Sequence, residues 1–561
     1  MGNNKKDILT LKPLLIGVCL AGLLWLGSGC GGGSRFVAPD APPNDRRPVP
    51  SPQSREINLA ADNVDKLGTM QVQRLFDLSR HARNIAGDPK PAMNIDAFDE
   101  VHNSSWFNNR NGQKPLTLKA LAQGPNREDG PDTSGIWTIF RAKAQGVTPG
   151  FSIVDKTGES YVIKFDPAGY SELSTGAEVV STKLFYAAGY NVPENYLVRF
   201  DPANLRLGDE VKLTDEHGKK RFMNEEDLEH ILARIEKQPD GKIRAVASRY
   251  LPGKPMGSFY YSGLRKDDAN DVIPHQHRRE LRGLKLIAAW LNHYDTKANN
   301  TLDMYVPEGY VRHYLIDFGS TLGSQGDEPM PPEIGREGVA DPPQVLKTIG
   351  SLGAYIRPWE RKPEVRFPSI GNFTAEDFRP EKYKYILPNP AFLSAIDGDD
   401  FWGAKIVMSF TDEQIRTAVA QGRYHDPAAA QYLVQILIER RNRVGRSVFS
   451  RLSPLDQFEV RDSDGVPALC FTDLAVSSAL ESGEGVNYRY ELFADGREAA
   501  EEDLGSQSCV NLEGLNAHPA TQWMLKIQKQ QPGGDDWLKA VQVYIEKDDA
   551  FGKWVLVGLR H

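Results

Sequence analysis

The stretch His293-Tyr294-Asp295-Thr296-Lys297-Ala298-Asn299-Asn300, followed by Asp317-Phe318-Gly319, decides how the rest of the chain is read. Between the two runs lies TLDMYV-PEGY-VRHYLID, in which Pro307, Glu308 and Gly309 mark a turn between two β-rich arms, so a hairpin is predicted. Ahead of them, RRELRGLKLIAAWLNHYD places Leu281, Leu284, Ala288 and Leu291 on one helical face. A helix therefore delivers His293 to Asn300, and a hairpin delivers Asp317. At roughly one in twenty per specified residue, D-x-K-x-x-N with D-F-G within about thirty positions would arise by accident in about one chain in several thousand of this length.

This pair of motifs resembles the catalytic loop and metal-binding tripeptide of the protein-kinase-like superfamily, reproducing the H-x-D-x-K-x-x-N spacing and the D-F-G. The resemblance implies a two-lobed α+β domain with a small β-rich lobe and a helical lobe. It implies ATP and Mg²⁺ or Mn²⁺ as cofactors. Asp295 would then accept or orient the acceptor hydroxyl and Lys297 would neutralise the moving phosphoryl group, while Asn300 and Asp317 would supply oxygens to the metal.

Upstream, Tyr161-Val162-Ile163-Lys164-Phe165 is a strand with one lysine, which by itself reads as solvated. It resembles the kinase strand whose lysine contacts nucleotide phosphates. Glu178 lies on the following helix, where the family's ion-pair glutamate would fall, with Glu172 near as the other choice. The segment AAGYNVPENYLV resembles the corresponding stretch of HipA-type kinases and type II phosphatidylinositol 4-kinases, relatives with a reduced glycine loop. Phosphate cradling is expected between Gly146 and Phe151, with Gly146 and Gly150 close to the phosphates, although G-x-G-x-x-G is absent and a plain turn around Pro149 is the other reading. Arg249-Tyr250-Leu251-Pro252-Gly253 falls where the interlobe linker would run, so its backbone is expected to meet a purine ring.

The resemblance spans 136–452, with a small lobe at 136–252, carrying WTIFRAKA, FSIV, YVIKF, YLVRF and one helix, and a helical lobe at 253–452. Residues 57–135 form an extension with a helical stretch near Val72 to Ile85 and no assignable chemistry. Residues 453–561 return to β signals such as ALCFTDL and NYRYELF, which predict an all-β, sandwich-like module.

The N-terminus reads as an address. Lys5, Lys6 and Lys12 precede an apolar run from Leu14 to Leu26, then Gly27, Ser28, Gly29 and Cys30. Charge, apolar core and small residues in that order describe an export signal, here 1–30. A cysteine after Gly29 resembles the lipobox of bacterial lipoproteins, which implies acylation at Cys30, although Gly27 stands where that family places Leu. Residues 31–56, with GGGS and then Pro39, Pro42, Pro43, Pro48, Pro50 and Pro52, read as an extended, unpacked tether. The chain is thus expected in the bacterial cell envelope, lipid-anchored, where Cys470 and Cys509 could pair or remain buried thiols.

Composition closes off other classes. The 561 residues suggest about three or four domains. With 40% hydrophobic and 25% charged residues, a disordered chain and a multi-span membrane protein are excluded. Lys+Arg 67 against Asp+Glu 75 leaves −8, so nucleic acid is not an expected partner. No H-E-x-x-H, G-x-S-x-G or C-x-x-C occurs. His275 and His277 read as a polar loop, and Asp399, Asp400, Trp402 and Lys405 as helix caps and packing. Expected partners are therefore the membrane through the anchor, nucleotide, and an unknown protein, lipid or glycan of the envelope. Two readings compete: an active phosphotransferase, with AMP transfer as a variant, and a pseudokinase-like binding module that retains the fold. Export favours the second, because ATP is scarce outside the cytoplasm; the complete motif set favours the first.

Overall fold

Alternating burial sets the first sheet. In β1 (Trp137–Ala142), Trp137 and Ile139 are buried, and β2 (Gly150–Val154) follows. In β3 (Ser160–Phe165), Tyr161, Ile163 and Phe165 fill one face while Val162 and Lys164 alternate to the other. Strands β4 (Asn195–Phe200), β5 (Leu205–Leu207) and β8 (Ile243–Arg249) complete the order β4-β8-β3-β2-β1-β5, antiparallel except where β1 pairs with β5. A small hairpin, β6 (Lys212–Thr214) and β7 (Lys220–Phe222), lies outside it. One face of this sheet buries Trp137, Ile163, Phe165 and Phe200, covered by Leu228 from the helix Glu225–Ala233. The computed structural model describes residues 36–561, apart from 128, 143–149, 215–219, 338–346, 352–353, 357–358, 360–364, 464, 518, 521 and 549–551. Cys30 and Gly146 therefore lie outside the described residues.

The other face of the sheet receives α1 (Leu173–Ala188). Asp166, the residue after β3, caps it, with Oδ1 accepting from the backbone N–H groups of Ser174 at 3.0 Å and Thr175 at 2.9 Å. These bonds tie the first turn of the helix back to the end of the strand across the turn at 167–172. This helix is buried on nearly every side, because the sheet, the helical body and Phe107 and Leu121 of the N-terminal extension all press on it.

The helical body contains α2 (Arg279–Trp290), α3 (Asp397–Met408), α4 (Asp412–Ala420) and α5 (Pro427–Phe449) around one core. Helices α2 and α3 cross closely because Gly283 has no Cβ; one placed there would come within 2.5 Å of the Trp402 ring. Asp399 accepts from Ile396 N as a cap and meets Arg279 at 2.8 Å and Arg282 at 3.1 Å, so buried charge is paired at the same crossing. β9 (Lys254–Gly257), β10 (Thr301–Tyr305) and β11 (Val311–Leu315) form a three-stranded sheet in the order β11-β10-β9, β10 and β11 being the predicted hairpin.

The C-terminal strands are β12 (Leu455–Ser463), β13 (Val466–Asp473), β14 (Tyr488–Ala494), β15 (Arg497–Gly505), β16 (Cys509–Asn511), β17 (Gln522–Lys529), β18 (Val541–Asp548) and β19 (Lys553–Arg560). They make two antiparallel sheets, β12-β13-β16 and β15-β14-β17-β18-β19, which share a core containing Leu469, Phe471, Leu492, Trp523 and Leu525. Cys470 and Cys509 face each other across β13 and β16 and form a disulfide. The module is tied to the helical body: Lys405 pairs with Asp456 at 2.9 Å, and His561 stacks on Phe401 and lies 3.2 Å from Asp99. The chain is thus α+β, with a mixed sheet, a helical body and an antiparallel β module.

Residues 36–56 differ from the expected unpacked tether. They are extended but docked. Phe36 stacks on Tyr544 at 4.4 Å, and Asp45 accepts from Ser105 N and Oγ. Val49 N donates to Gly309 O and Arg55 N to Met256 O. Prolines pre-set φ, so the segment loses less entropy on docking than a flexible linker would. Composition reports the extension and not the surface that receives it.

Removing the disulfide in Cys470→Ser/Cys509→Ser opens a loop with a sequence separation of 39. By loop-closure entropy this should cost about 4 kcal/mol in the β module. Urea denaturation of the full chain, followed by a probe in this module, should show the lower midpoint, and dithiothreitol should reproduce it in the unsubstituted protein.

Candidate functional site

Lys164 leaves β3 on the face opposite the sheet core and therefore points toward α1. Its Nζ lies 2.9 Å from Glu178 Oε2 and 2.9 Å from Asp317 Oδ1. The second oxygen of Glu178 accepts from Asn195 Nδ2 at 3.0 Å, and the same amide reaches Thr182 Oγ1 at 2.8 Å. Burial alone would push the Lys164 ammonium down, but the charges of Asp317 and Glu178 outweigh it and hold the group well above the ordinary lysine value. The cluster is graded in exposure: the side chains of Glu178, Lys164 and Asp317 are 2%, 14% and 47% exposed. One lysine thus joins a buried carboxylate to one facing solvent.

Asp317 sits at φ +66, in the left-handed region that a non-glycine residue adopts at a cost, and Phe318 and Gly319 explain how the bend is held. The Phe318 ring stacks on Phe185 of α1 at 4.8 Å and meets His293 edge-on at 5.8 Å. A Cβ on Gly319 would lie 2.8 Å from Ser174 Oγ and 3.4 Å from Glu178 Oε2, so a side chain there would crowd Ser174 and the ion pair.

The loop after α2 forms the second half. Asn300 Nδ2 donates to Asp295 Oδ2 at 3.0 Å and to Asp295 O at 2.8 Å, while Lys297 Nζ lies 2.9 Å from Asp295 Oδ1. These contacts fix the carboxylate between an amide and an ammonium. The β10–β11 hairpin pairs Thr301 with Leu315, and Ile316 N donates to Asn300 O at 3.0 Å, so the loop and the Asp317 bend are neighbours although far apart in sequence. His293 is buried beneath them, and desolvation holds its imidazole at about 4, against the weaker upward pull of Asp295 and Asp317.

The structure therefore brings Lys164, Glu178 and Asp317 into direct contact, and likewise Asp295, Lys297 and Asn300. Glu172, the other choice for the ion pair, instead accepts from His425 N at the helical body. Gly150 faces Lys164 across β2 and β3. Arg249 to Gly253 connects β8 to β9, with Tyr250 Oη donating to Ser152 Oγ. His275 pairs with Asp271 at 2.7 Å and His277 accepts from Arg282, as polar side chains of a hydrogen-bonded loop. Among the described residues no three His, Cys, Asp or Glu side chains converge to hold an ion. A divalent cation would therefore depend on Asp317, Asn300 and oxygens of its ligand. The donors fit: both are hard oxygens, and the amide hydrogens of Asn300 are turned to Asp295, which leaves its Oδ1 for a cation.

Two positioning residues escaped the sequence reading. Asn195 shows only as a polar residue at a strand start, yet it anchors Glu178. Arg244 shows only as a strand arginine, yet it donates to Thr175 Oγ1 and to the carbonyls of Gly422 and Arg423, pinning the sheet to the helical body. Neither has a local signal, because each partner is distant in sequence.

No family model matches the chain, and no curated protein matches it. Among solved structures the chain is similar to the crystal structure of a Helicobacter pylori proinflammatory kinase, CtkA, at 15% identity and a TM-score of 0.28, over 55% of this chain and 92% of that one. A score of that size is too low to assign a fold.

His293 gives the site a pH signature. Its folded imidazole titrates near 4 and an unfolded one near 6.5, so between those values the unfolded state binds the extra proton. Stability should fall as pH drops through that window, by about 3 kcal/mol from this residue, and stay level below it. His293→Phe should flatten that part of the curve, read as urea midpoints at pH 6.5 and pH 4.

Proposed function

We propose that the chain is an atypical kinase-like phosphotransferase, lipid-anchored through Cys30 in the bacterial cell envelope, that uses Mg²⁺- or Mn²⁺-bound ATP. The observation that carries this reading is the ammonium of Lys164 held 2.9 Å from both Glu178 and Asp317, carboxylates 14 and 153 residues away in sequence. A structural ion pair needs only one of them. A lysine shared between a buried carboxylate and a half-exposed one suits a group that positions phosphate oxygens while a neighbouring carboxylate takes a metal.

When bound, metal-ATP would supply the transferable phosphoryl group and much of the charge neutralisation. The remaining tasks fall to the chain. Glu178, fixed by Asn195, would orient Lys164 toward phosphate oxygens. Asp317 and Asn300 would hold the cation. Asp295 would accept the hydrogen of an acceptor hydroxyl, and Lys297, already beside it, would offset charge on the group in transit. Gly150, paired with Lys164 across β2 and β3, would lie beside the phosphates, and Gly146 is expected near them from the sequence alone. Acceptors of the right chemistry are hydroxyls of an envelope protein, lipid or glycan, with nucleotide supplied locally.

Thermal denaturation of the full chain with ATP and Mg²⁺ or Mn²⁺ tests the reading. A ligand at about 100 times its dissociation constant adds about 2.7 kcal/mol, visible as a rise of a few degrees. Asp317→Asn should abolish the metal-dependent part with little change in the unliganded Tm. Asp295→Asn should retain the shift and slow turnover about 10²- to 10⁴-fold. A protein that shows no shift at millimolar ATP is instead a pseudokinase-like binding module.

A further inference from the structure

Lys183 is a buried charge that the proposed transfer site leaves unused. It follows Val179 by one turn of α1 and is 3% exposed, a depth at which a lysine ordinarily has a carboxylate beside it. Here Nζ donates to the carbonyl of Gln123 at 2.7 Å, and among the described residues no carboxylate comes within 4 Å of it. An ammonium has three hydrogens to place, so one carbonyl does not satisfy it. The acid whose charge does reach it, Glu194, is engaged elsewhere: it accepts from Tyr196 Oη at 2.6 Å and meets Arg127 at 3.7 Å and Arg249 at 3.9 Å. Burial accordingly pulls the Lys183 ammonium down to about 8, against a weaker upward influence from Glu194.

This lysine lines a cleft of about 520 Å³ between α1, the start of β4, the N-terminal extension and the turn after α4. Asn126 and Asn195 line it too, and each has a buried Oδ1 that no donor of the protein reaches. Asn195 is 1% exposed, and its amide hydrogens are already given to Glu178 and Thr182. Arg127 and Arg423 stand exposed at the rim with Asp129. Three cations thus face one carboxylate, beside two acceptors without a donor, in a chain whose net charge is −8. The stem of Lys183 is held under the turn at Gly124, where a Cβ would come within 2.6 Å of its Cδ, so the ammonium has little room to swing away.

We infer that this cleft binds a small phosphorylated polyol, its phosphate against Lys183, Arg127 and Arg423 and its hydroxyls against Asn126 and Asn195. A buried water would donate to the two amides but brings no negative charge to the ammonium. A fully ionised oxyanion brings the charge but no hydrogen for the amides. A phosphate ester of a polyol supplies both. The inference stands on this cleft and not on the proposed transfer reaction.

Calorimetric titration of the full chain with glucose 6-phosphate, inorganic phosphate and glucose tests it. Glucose 6-phosphate should bind about threefold or more tighter than inorganic phosphate, the gain expected of an added hydrogen bond, and glucose should not bind. Lys183→Met, which replaces a buried charge by an apolar side chain of similar length, should weaken glucose 6-phosphate by about tenfold or more without lowering the unliganded Tm. Arg127→Gln, at a side chain that is 72% exposed, should weaken it severalfold while leaving the interior alone. Asp317→Asn should leave it unchanged. No binding at about 10 mM glucose 6-phosphate overturns the inference. Binding that survives both Lys183→Met and Arg127→Gln also overturns it, and is the outcome expected if Lys183 only caps the helix Leu118–Gln123. Equal affinity for inorganic phosphate overturns the assignment of a polyol. Loss of binding in Asp317→Asn with retention in Lys183→Met puts the sugar phosphate at the Lys164 cluster and overturns it as well. A chain that binds glucose 6-phosphate here but shows no shift with metal-ATP would sink the transferase reading and support this one.

Discussion

A single ammonium group holds this site together. Lys164 bridges Glu178, sealed behind α1, and Asp317, at the mouth of the cleft, and without it the buried Glu178 would lose the ammonium 2.9 Å away. The surrounding construction serves that contact. Asp166 starts the helix that carries Glu178, Asn195 turns its carboxylate, and Gly319 removes the side chain that would push it away. The three charges come from the sheet, the helix beside it and the far end of a hairpin, so the pair of contacts also measures whether those elements are in register.

The parts of this arrangement that were legible in the sequence are those set by short spacing. Asp295, Lys297 and Asn300 fall within one turn of chain, and a hairpin with an obvious turn brings Asp317 back to them, so local pattern was enough. Lys164 reads by itself as a solvated strand lysine and is marked only by its resemblance to the kinase strand; the alternation that turns it to the helix side is seen in the burial along β3. The choice between Glu172 and Glu178 was not decidable by pattern, because both lie near the start of α1; what separates them is that Glu172 is used by His425 at the other lobe. Asn195 and Arg244 act across the fold on partners that no window of sequence contains. The Pro-rich segment misled for a related reason: composition describes how a chain is shaped, whereas docking depends on the surface opposite.

Charge is buried in the helical body as well, and with a different purpose. Arg279 and Arg282 share Asp399 at the α2–α3 crossing, and Arg279 also meets Asp99, whose carboxyl burial would push up but Arg279 and His561 hold well below the usual range. These pairs lie under the joint between helical body and β module. Such networks specify one seating of two modules, since a shifted seating would leave an arginine or carboxylate unpaired in a dry interior.

The docked strap at 36–56 also bears on what the molecule refuses to do. β9 is the last strand of its sheet, and its outer edge offers backbone groups to any passing extended chain. Arg55 takes the carbonyl of Met256 there, and Val49 takes that of Gly309 at the hairpin turn. Between those two contacts stand Pro50 and Pro52, neither of which has an N–H to offer outward. The strap therefore closes an edge while presenting fewer donors of its own, and strand-by-strand growth of copies into a fibre is hindered at this sheet by two missing hydrogens.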